Sequence, residues 1–89
     1  MTKERKTRLQ QIRKQLQVRP KDLAPAVGVS RQALHNIERG LSTPRPHVEK
    51  ALAKCLRAER DAQISLLKER LAVLQAMQFD ETLFEEIEL

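Results

Sequence analysis

The stretch Gly28–Gly40, GVSRQALHNIERG, governs the fold of this chain. Gly28 can adopt the left-handed or closely approached backbone of a tight turn. Val29 then supplies an apolar side chain to the core, and the hydroxyl of Ser30 can cap a helix. The spacing therefore predicts a helix from Ser30 to Arg39, with the second glycine of the stretch ending it.

This helix is expected to have one apolar and one polar side. Ala33, Leu34 and Ile37 are three and four residues apart, so they should face the core. The opposite side carries the polar residues: Arg31, Gln32, His35, Asn36, Arg39. Arg can donate two hydrogen bonds to guanine, and Gln and Asn can donate to and accept from adenine. The face can therefore read base edges rather than only attract phosphates.

The preceding residues predict two further helices. Apolar residues recur at helical spacing within KERKTRLQQIRKQLQ, which predicts a first helix of about Lys3 to Gln17. Pro20 suits a first helical position, so a second short helix should run from Pro20 to about Val27, shortened or kinked by Pro25. Two short helices joined by a tight turn around a Gly form a helix-turn-helix, whose second helix fits the DNA major groove.

Charge is divided unevenly along the chain. Residues 1–57 hold 14 Lys and Arg against 4 Asp and Glu, a net charge of +10, whereas residues 58–89 hold 3 against 8, a net charge of −5. This asymmetry favours nucleic acid as the partner of the first part, although a basic surface alone also fits an anionic membrane or a solvated face.

Composition indicates an all-α protein with one small core. The chain has 89 residues and two Phe, and no β-branched run alternates over the length of a strand. No segment has the roughly 18 apolar residues of a membrane span, and the start MTKERKTR lacks a signal-peptide core. We therefore expect a soluble, intracellular protein without a membrane partner.

The sequence contains no pattern typical of catalysis or metal binding. Cys55 lies on an apolar helical stripe and is expected to be a buried structural thiol. His35 and His47 have no ligand spacing to it, and no nucleophile and base pair or phosphate-binding Gly loop is evident. We expect no enzyme activity, no cofactor and no metal.

The segment VRPKDLAPAVGVSRQALHNIERG, followed by STPRP and VEKALAKCL, closely resembles the Cro/CI, or XRE, helix-turn-helix family of phage repressors and bacterial regulators. The resemblance covers Leu9 to Leu56. It implies a lambda-repressor-like all-α domain of four to five helices, and a cytoplasmic, nucleoid-associated protein encoded by a bacterium or phage. It also implies that Glu38 pairs with Arg13 in a structural contact.

The resemblance implies two sets of DNA contacts. Arg31, Gln32 and Asn36 match the base-reading positions of the family. Ser30 and Arg39 match positions of support or phosphate contact. Because of their charge and position beside the third helix, Arg19, Lys21, Arg39 and Arg45 are the expected phosphate partners, and His35 is expected to join the same backbone or supporting set. Many members have Gln where this chain has Pro20, which cannot make the usual phosphate contact, and Lys21 is the expected replacement.

Pro46 can begin a fourth helix, and no Gly or Pro follows it. The fourth and fifth helices are expected to be fused, or separated by a slight break near Arg57 to Asp61. We divide the chain into a DNA-binding domain, residues 1–57, and a C-terminal extension, residues 58–89.

Four apolar residues of the extension follow a 3, 4, 3 spacing and form a seam for another helix: Ile64, Leu67, Leu71, Leu74. The seam could pack on its own domain, but the small core has little surface for it, which favours a homodimer. A palindromic operator needs two such readers one DNA turn, roughly 34 Å, apart.

The tail, residues 80–89, DETLFEEIEL, carries five acidic and no basic residues. It could be a short amphipathic helix closing on the dimer, a docking segment for another protein, or disordered.

The sequence as a whole predicts a homodimeric, sequence-specific double-stranded DNA-binding repressor. The alternatives are an antitoxin-type or phage-switch regulator whose tail binds a protein partner, and a helical adapter without DNA binding.

Overall fold

The computed structural model describes residues 7–88, and its regular elements over that range are all helical. Four α-helices are followed by one short 3-10 helix: α1 Arg8–Gln15, α2 Pro20–Ala26, α3 Arg31–Glu38, α4 Pro46–Gln75, and the 3-10 helix Glu81–Phe84. The predicted all-α helix-turn-helix class with a long C-terminal helix is confirmed.

The start of α1 differs from the prediction. Lys3 lies outside the described residues, and Thr7 has an extended backbone, with φ −80° and ψ 159°. The hydroxyl of Thr7 accepts a hydrogen bond from the backbone N–H of Gln10 at 3.3 Å, so Thr7 caps the helix from outside. The first helix, predicted from about Lys3 to Gln17, is therefore not helical at Thr7, and it ends two residues before Gln17.

Helices α1, α2 and α3 each end in a Schellman motif, in which the residue after the C-cap adopts the left-handed conformation. The left-handed residues are Gln17, Gly28 and Gly40, with φ of 59°, 76° and 70°. After α2, the N–H of Gly28 donates to the carbonyl of Pro25, and the next N–H donates to that of Ala24. No atom lies within 4 Å of a Cβ built on Gly28, so its backbone conformation, not close packing, requires glycine.

The core lies where α2, α3 and the first part of α4 meet. Its buried apolar residues are Leu23, Ala24, Val27, Leu34, Val48, Leu52 and Leu56. Leu34 is fully buried, and Ile37 packs against the cluster, as predicted for the inner face of α3. Ala33 is only half-buried. Cys55 is also half-buried, so its predicted burial is only partly correct.

Helix α4 is continuous over 30 residues, about 45 Å, with no break near Arg57 to Asp61. Beyond Leu56 its side chains are exposed, apart from the half-buried Gln63. The amide nitrogen of Gln63 donates to the carbonyl oxygen of Leu16 at 2.7 Å, which ties α4 to the end of α1. None of the helices described between residues 7 and 88 combines the length and apolar character needed to cross a membrane.

Candidate nucleic-acid interface

A buried ion pair fixes the C-terminal end of α3 to α1. Arg13 is 8% exposed and Glu38 3%. The guanidinium of Arg13 donates to both carboxylate oxygens of Glu38 through Nε and Nη2, and its Nη1 donates to the carbonyl of Val18 at 2.9 Å. The pairing implied by the family resemblance is present. Because both charges are compensated, the pair can hold α3 in one position.

Thr7 provides a second connection between the same two helices. Its hydroxyl donates to the backbone carbonyl of Glu38 at 2.6 Å while it accepts from the N–H of Gln10. One side chain thus caps the start of α1 and binds the end of α3. Sequence reasoning missed this residue, although the Thr7-x-x-Gln10 spacing is that of a capping box and could have revealed it.

The N-terminal end of α3 is fixed by Ser30. Its hydroxyl oxygen accepts a hydrogen bond from the backbone N–H of Ala33 at 3.0 Å, which is the predicted cap. This bond positions the first turn of α3. A supporting role of Ser30 toward DNA remains a prediction.

The predicted base-reading residues lie together on the outer side of α3. Arg31 and Gln32 are exposed, and Asn36 is half-buried. The amide nitrogen of Gln32 donates to the side-chain oxygen of Asn36 at 3.1 Å. This bond uses neither the carbonyl oxygen of Gln32 nor the amide N–H groups of Asn36. The linked amides therefore present both an acceptor and donors, as recognition of adenine requires.

The polar side of α3 forms one wall of a concave surface that encloses a cleft of about 650 Å³. Residues from three helices line it: Gln10, Arg13, Pro20, Arg31, Gln32, His35, Glu38, Arg39. His35 is exposed and Arg39 is half-buried. Gln10 was not predicted as part of the site. Its position one turn before Arg13 on α1 was the available signal, since residues three apart share a helix face.

Three cations predicted to contact the DNA backbone are not among the residues that line this surface. Arg19, Lys21 and Arg45 are all exposed. Arg19 donates to the carboxylate of Asp22 at 2.9 Å, and both side chains are more than half exposed. An exposed pair of this kind is weak, so a phosphate can compete with Asp22 for the guanidinium. The backbone contacts of these residues remain predictions.

The seam residues do not pack on the core of their own chain. Ile64, Leu67, Leu71 and Leu74 are 41%, 68%, 53% and 47% exposed. They lie on the part of α4 that extends past the last buried core residue. Their role in a dimer remains a prediction, as does the division of the chain after residue 57, which α4 crosses unbroken.

Within residues 7–88, no three His, Cys, Asp or Glu side chains are grouped so that they could hold a metal ion. A family model described as a helix-turn-helix domain matches residues 7–67, which span α1 to α3 and most of α4. No curated protein matched the chain, and no solved structure matched it.

Proposed function

The chain belongs to the helix-turn-helix domain family, and on that premise we propose that it is a sequence-specific, double-stranded DNA-binding regulator of transcription. The observation that carries the proposal is the outer face of α3, where side chains able to hydrogen-bond base edges stand on a helix held at both ends. Non-specific attraction to phosphate needs only cations. A linked Gln–Asn pair beside an Arg is chemistry for base edges.

Each residue of this face has a distinct task. Arg31, at the first position of α3, can donate two hydrogen bonds to guanine. Gln32 and Asn36 together offer an acceptor and donors to adenine in the major groove. Helix-turn-helix proteins contact bases with the N-terminal residues of the second helix, which is where Arg31 and Gln32 lie.

The buried contacts behind α3 support sequence discrimination. Side chains that stand on a rigid helix lose little conformational freedom on binding. The Arg13–Glu38 pair and the hydroxyl of Thr7 hold the C-terminal end, and Ser30 caps the N-terminal end. A base mismatch therefore cannot be relieved by a small shift of α3.

The regulator acts as a homodimer on a palindromic operator, with half-sites one DNA turn, roughly 34 Å, or a multiple of it apart. The exposed seam on α4 supports this oligomeric state, since apolar side chains that project from a long helix are usually covered by another helix. Repression by occlusion of a promoter is the simplest mode of action. A repressor of this kind acts on the nucleoid, in the cytoplasm of a bacterium.

Selection of bound sequences from a random DNA pool tests base reading. We expect a two-fold symmetric motif. On that motif, Arg31→Ala, Gln32→Ala and Asn36→Ala should each cost about 1–3 kcal/mol and relax the preference at particular base pairs. The matched control is Gln78→Ala, which removes an exposed amide after α4 and should change nothing. Equal losses on selected and random DNA would contradict the proposal.

Sedimentation with the folded fraction monitored by circular dichroism tests the dimer. Leu71→Glu should give a folded monomer, because Leu71 is already exposed within one chain and the charge would disrupt only a contact between chains. Ser65→Glu puts the same charge on an exposed position of α4 outside the seam and should leave the dimer intact. A wild-type chain that is monomeric at micromolar concentration would remove the dimer but not base reading.

A further inference from the structure

A second apolar surface lies beside the seam, in a groove of about 400 Å³ between α1 and α4. Four apolar side chains line it together with one glutamine and two arginines: Ile12, Gln15, Leu16, Ala53, Leu56, Arg57, Arg60. Both arginines are exposed. Arg60 donates to the adjacent Asp61 at 2.9 Å in a pair open to solvent, which a second carboxylate can share. The groove thus favours a segment that is both apolar and acidic.

The C-terminal tail of the chain has that character. Leu83, Phe84 and Ile87 are 56%, 87% and 80% exposed, so residues 7–88 of one chain leave them largely uncovered. The carboxylates of Glu85 and Glu86 lie between Phe84 and Ile87. The tail lies in the net −5 part of the chain, whereas the groove lies in the net +10 part except for Arg60. We propose that the tail of one copy docks in the α1–α4 groove of the other copy of the dimer.

The spacing of the seam supports this exchange. Residues 64, 67, 71 and 74 are symmetric about position 69. An antiparallel two-fold pairing therefore sets Ile64 against the partner's Leu74, and Leu67 against the partner's Leu71, so that every seam residue meets another apolar residue. Lys68 and Arg70 flank the axis, and because both are exposed their repulsion is screened by solvent and salt.

The same symmetry brings the partner's tail to the groove. With the axis at position 69, the partner's Gln75 lies opposite position 63, which is three and six residues from Arg60 and Arg57. At 1.5 Å per helical residue these steps are about 5 and 9 Å. The partner's Phe84 is nine residues beyond its Gln75, so the tail has length to spare.

The tail reaches the groove of its own chain poorly. Along α4, Gln75 is about 22 Å from Arg60 and about 33 Å from Ala53. Residues 76–80 and 85–87 fully extended, with the 3-10 helix Glu81–Phe84 between them, cover about 35 Å, so Ile87 reaches Ala53 of its own chain only if the chain reverses at once and stays extended. The tail of a second copy needs no such reversal, so a second copy is the occupant that fits.

This inference rests on the proposed dimer and adds its orientation. Antiparallel pairing places the Leu52 positions of the two copies about 50 Å apart along the helix axis. That distance exceeds the roughly 34 Å of one DNA turn, so the arrangement disfavours half-sites a single turn apart.

Complementary charge reversals test the exchange. One variant carries Arg57→Glu and Arg60→Glu in the groove, and the other carries Glu85→Lys and Glu86→Lys in the tail. Sedimentation at low salt should show each variant alone dimerising about ten-fold more weakly or worse, because like charges meet. An equimolar mixture should regain wild-type association, since every groove then meets a tail of opposite charge.

Lys50→Glu with Lys54→Glu is the matched control, because it changes the net charge equally at exposed positions outside the groove lining. Weakening without recovery in the mixture would overturn exchange between copies. Variants that dimerise like the wild type would overturn tail docking and leave the dimer standing. A monomeric wild type would overturn the inference and the proposed dimer together, and the separate DNA-binding assay would still report on base reading.

Discussion

Replacement of Glu38 by Ala should destabilise the fold far more than loss of an ordinary ion pair. Glu38 is 3% exposed and Arg13 8%, so the truncation leaves a guanidinium buried with only the carbonyl of Val18 as its remaining partner. Removal of one member of a buried pair costs about 3–5 kcal/mol. At roughly 0.05–0.15 kcal/mol per residue, the whole chain has about 4–13 kcal/mol of stability, so the variant should be close to unfolding.

Urea unfolding followed by circular dichroism measures this loss. The internal control is Asp22→Ala, which removes the partner of Arg19 from a pair whose side chains are 66% and 55% exposed. That change should cost less than about 1 kcal/mol, because water solvates both charges in either state. The two variants remove the same chemical contact, so the difference between them isolates the effect of burial.

A double replacement completes the cycle. Arg13→Met with Glu38→Leu removes both charges and fills the space with apolar side chains, so it should be more stable than Glu38→Ala alone. If Glu38→Ala cost no more than Asp22→Ala, or if the double replacement were the least stable of all, the buried pair could not be what holds α3 against α1.

Three further experiments concern the phosphate contacts, the turn at Gly28 and the turn at Asp80. Lys21→Ala or Arg45→Ala should each reduce the slope of log affinity against log salt by about 1 and leave the selected motif unchanged, whereas a changed motif would contradict a phosphate contact. Gly28→Ala should cost about 1–2 kcal/mol in thermal unfolding, from its φ of 76° alone, since its Cβ meets nothing within 4 Å; a much larger loss would indicate a clash. Hydrogen bonds from the hydroxyl and then the backbone N–H of Thr82 hold the pKa of the Asp80 carboxyl below its ordinary value. This turn should therefore be favoured above the ordinary pKa of an Asp and weaken as pH falls through the lowered pKa, and Thr82→Val should raise the pKa in an NMR titration.

Local sequence accounts well for helix α3. The predicted limits of α3 at Ser30 and Arg39 are its two caps, because a Ser hydroxyl and a following glycine act through bonds within a few residues. Pro20 and Pro46 begin α2 and α4 for the same reason. The polar face of α3 is likewise fixed by spacing, since its inner residues must meet the core.

Contacts between distant residues account for what local patterns missed. Helix α1 begins only after Thr7, whose hydroxyl also binds the carbonyl of Glu38, 31 residues away. Gln17 takes a left-handed conformation that a glycine usually provides, so no local signal marked the end of α1. The pairing of Glu38 with Arg13 came from the family resemblance, since neither residue alone indicates a partner.

Local patterns were enough to predict the helical class, the turn around Gly28 and the composition of the outer face of α3, because caps, glycines and residue spacing act over a few positions. The continuity of α4, the half-burial of Cys55 and the exposure of the seam became evident from the packed chain alone. These features depend on how much apolar surface a small core can cover, and that quantity is set when α2, α3 and α4 pack together. An apolar stripe has the same spacing whether or not its own chain has surface left to bury it.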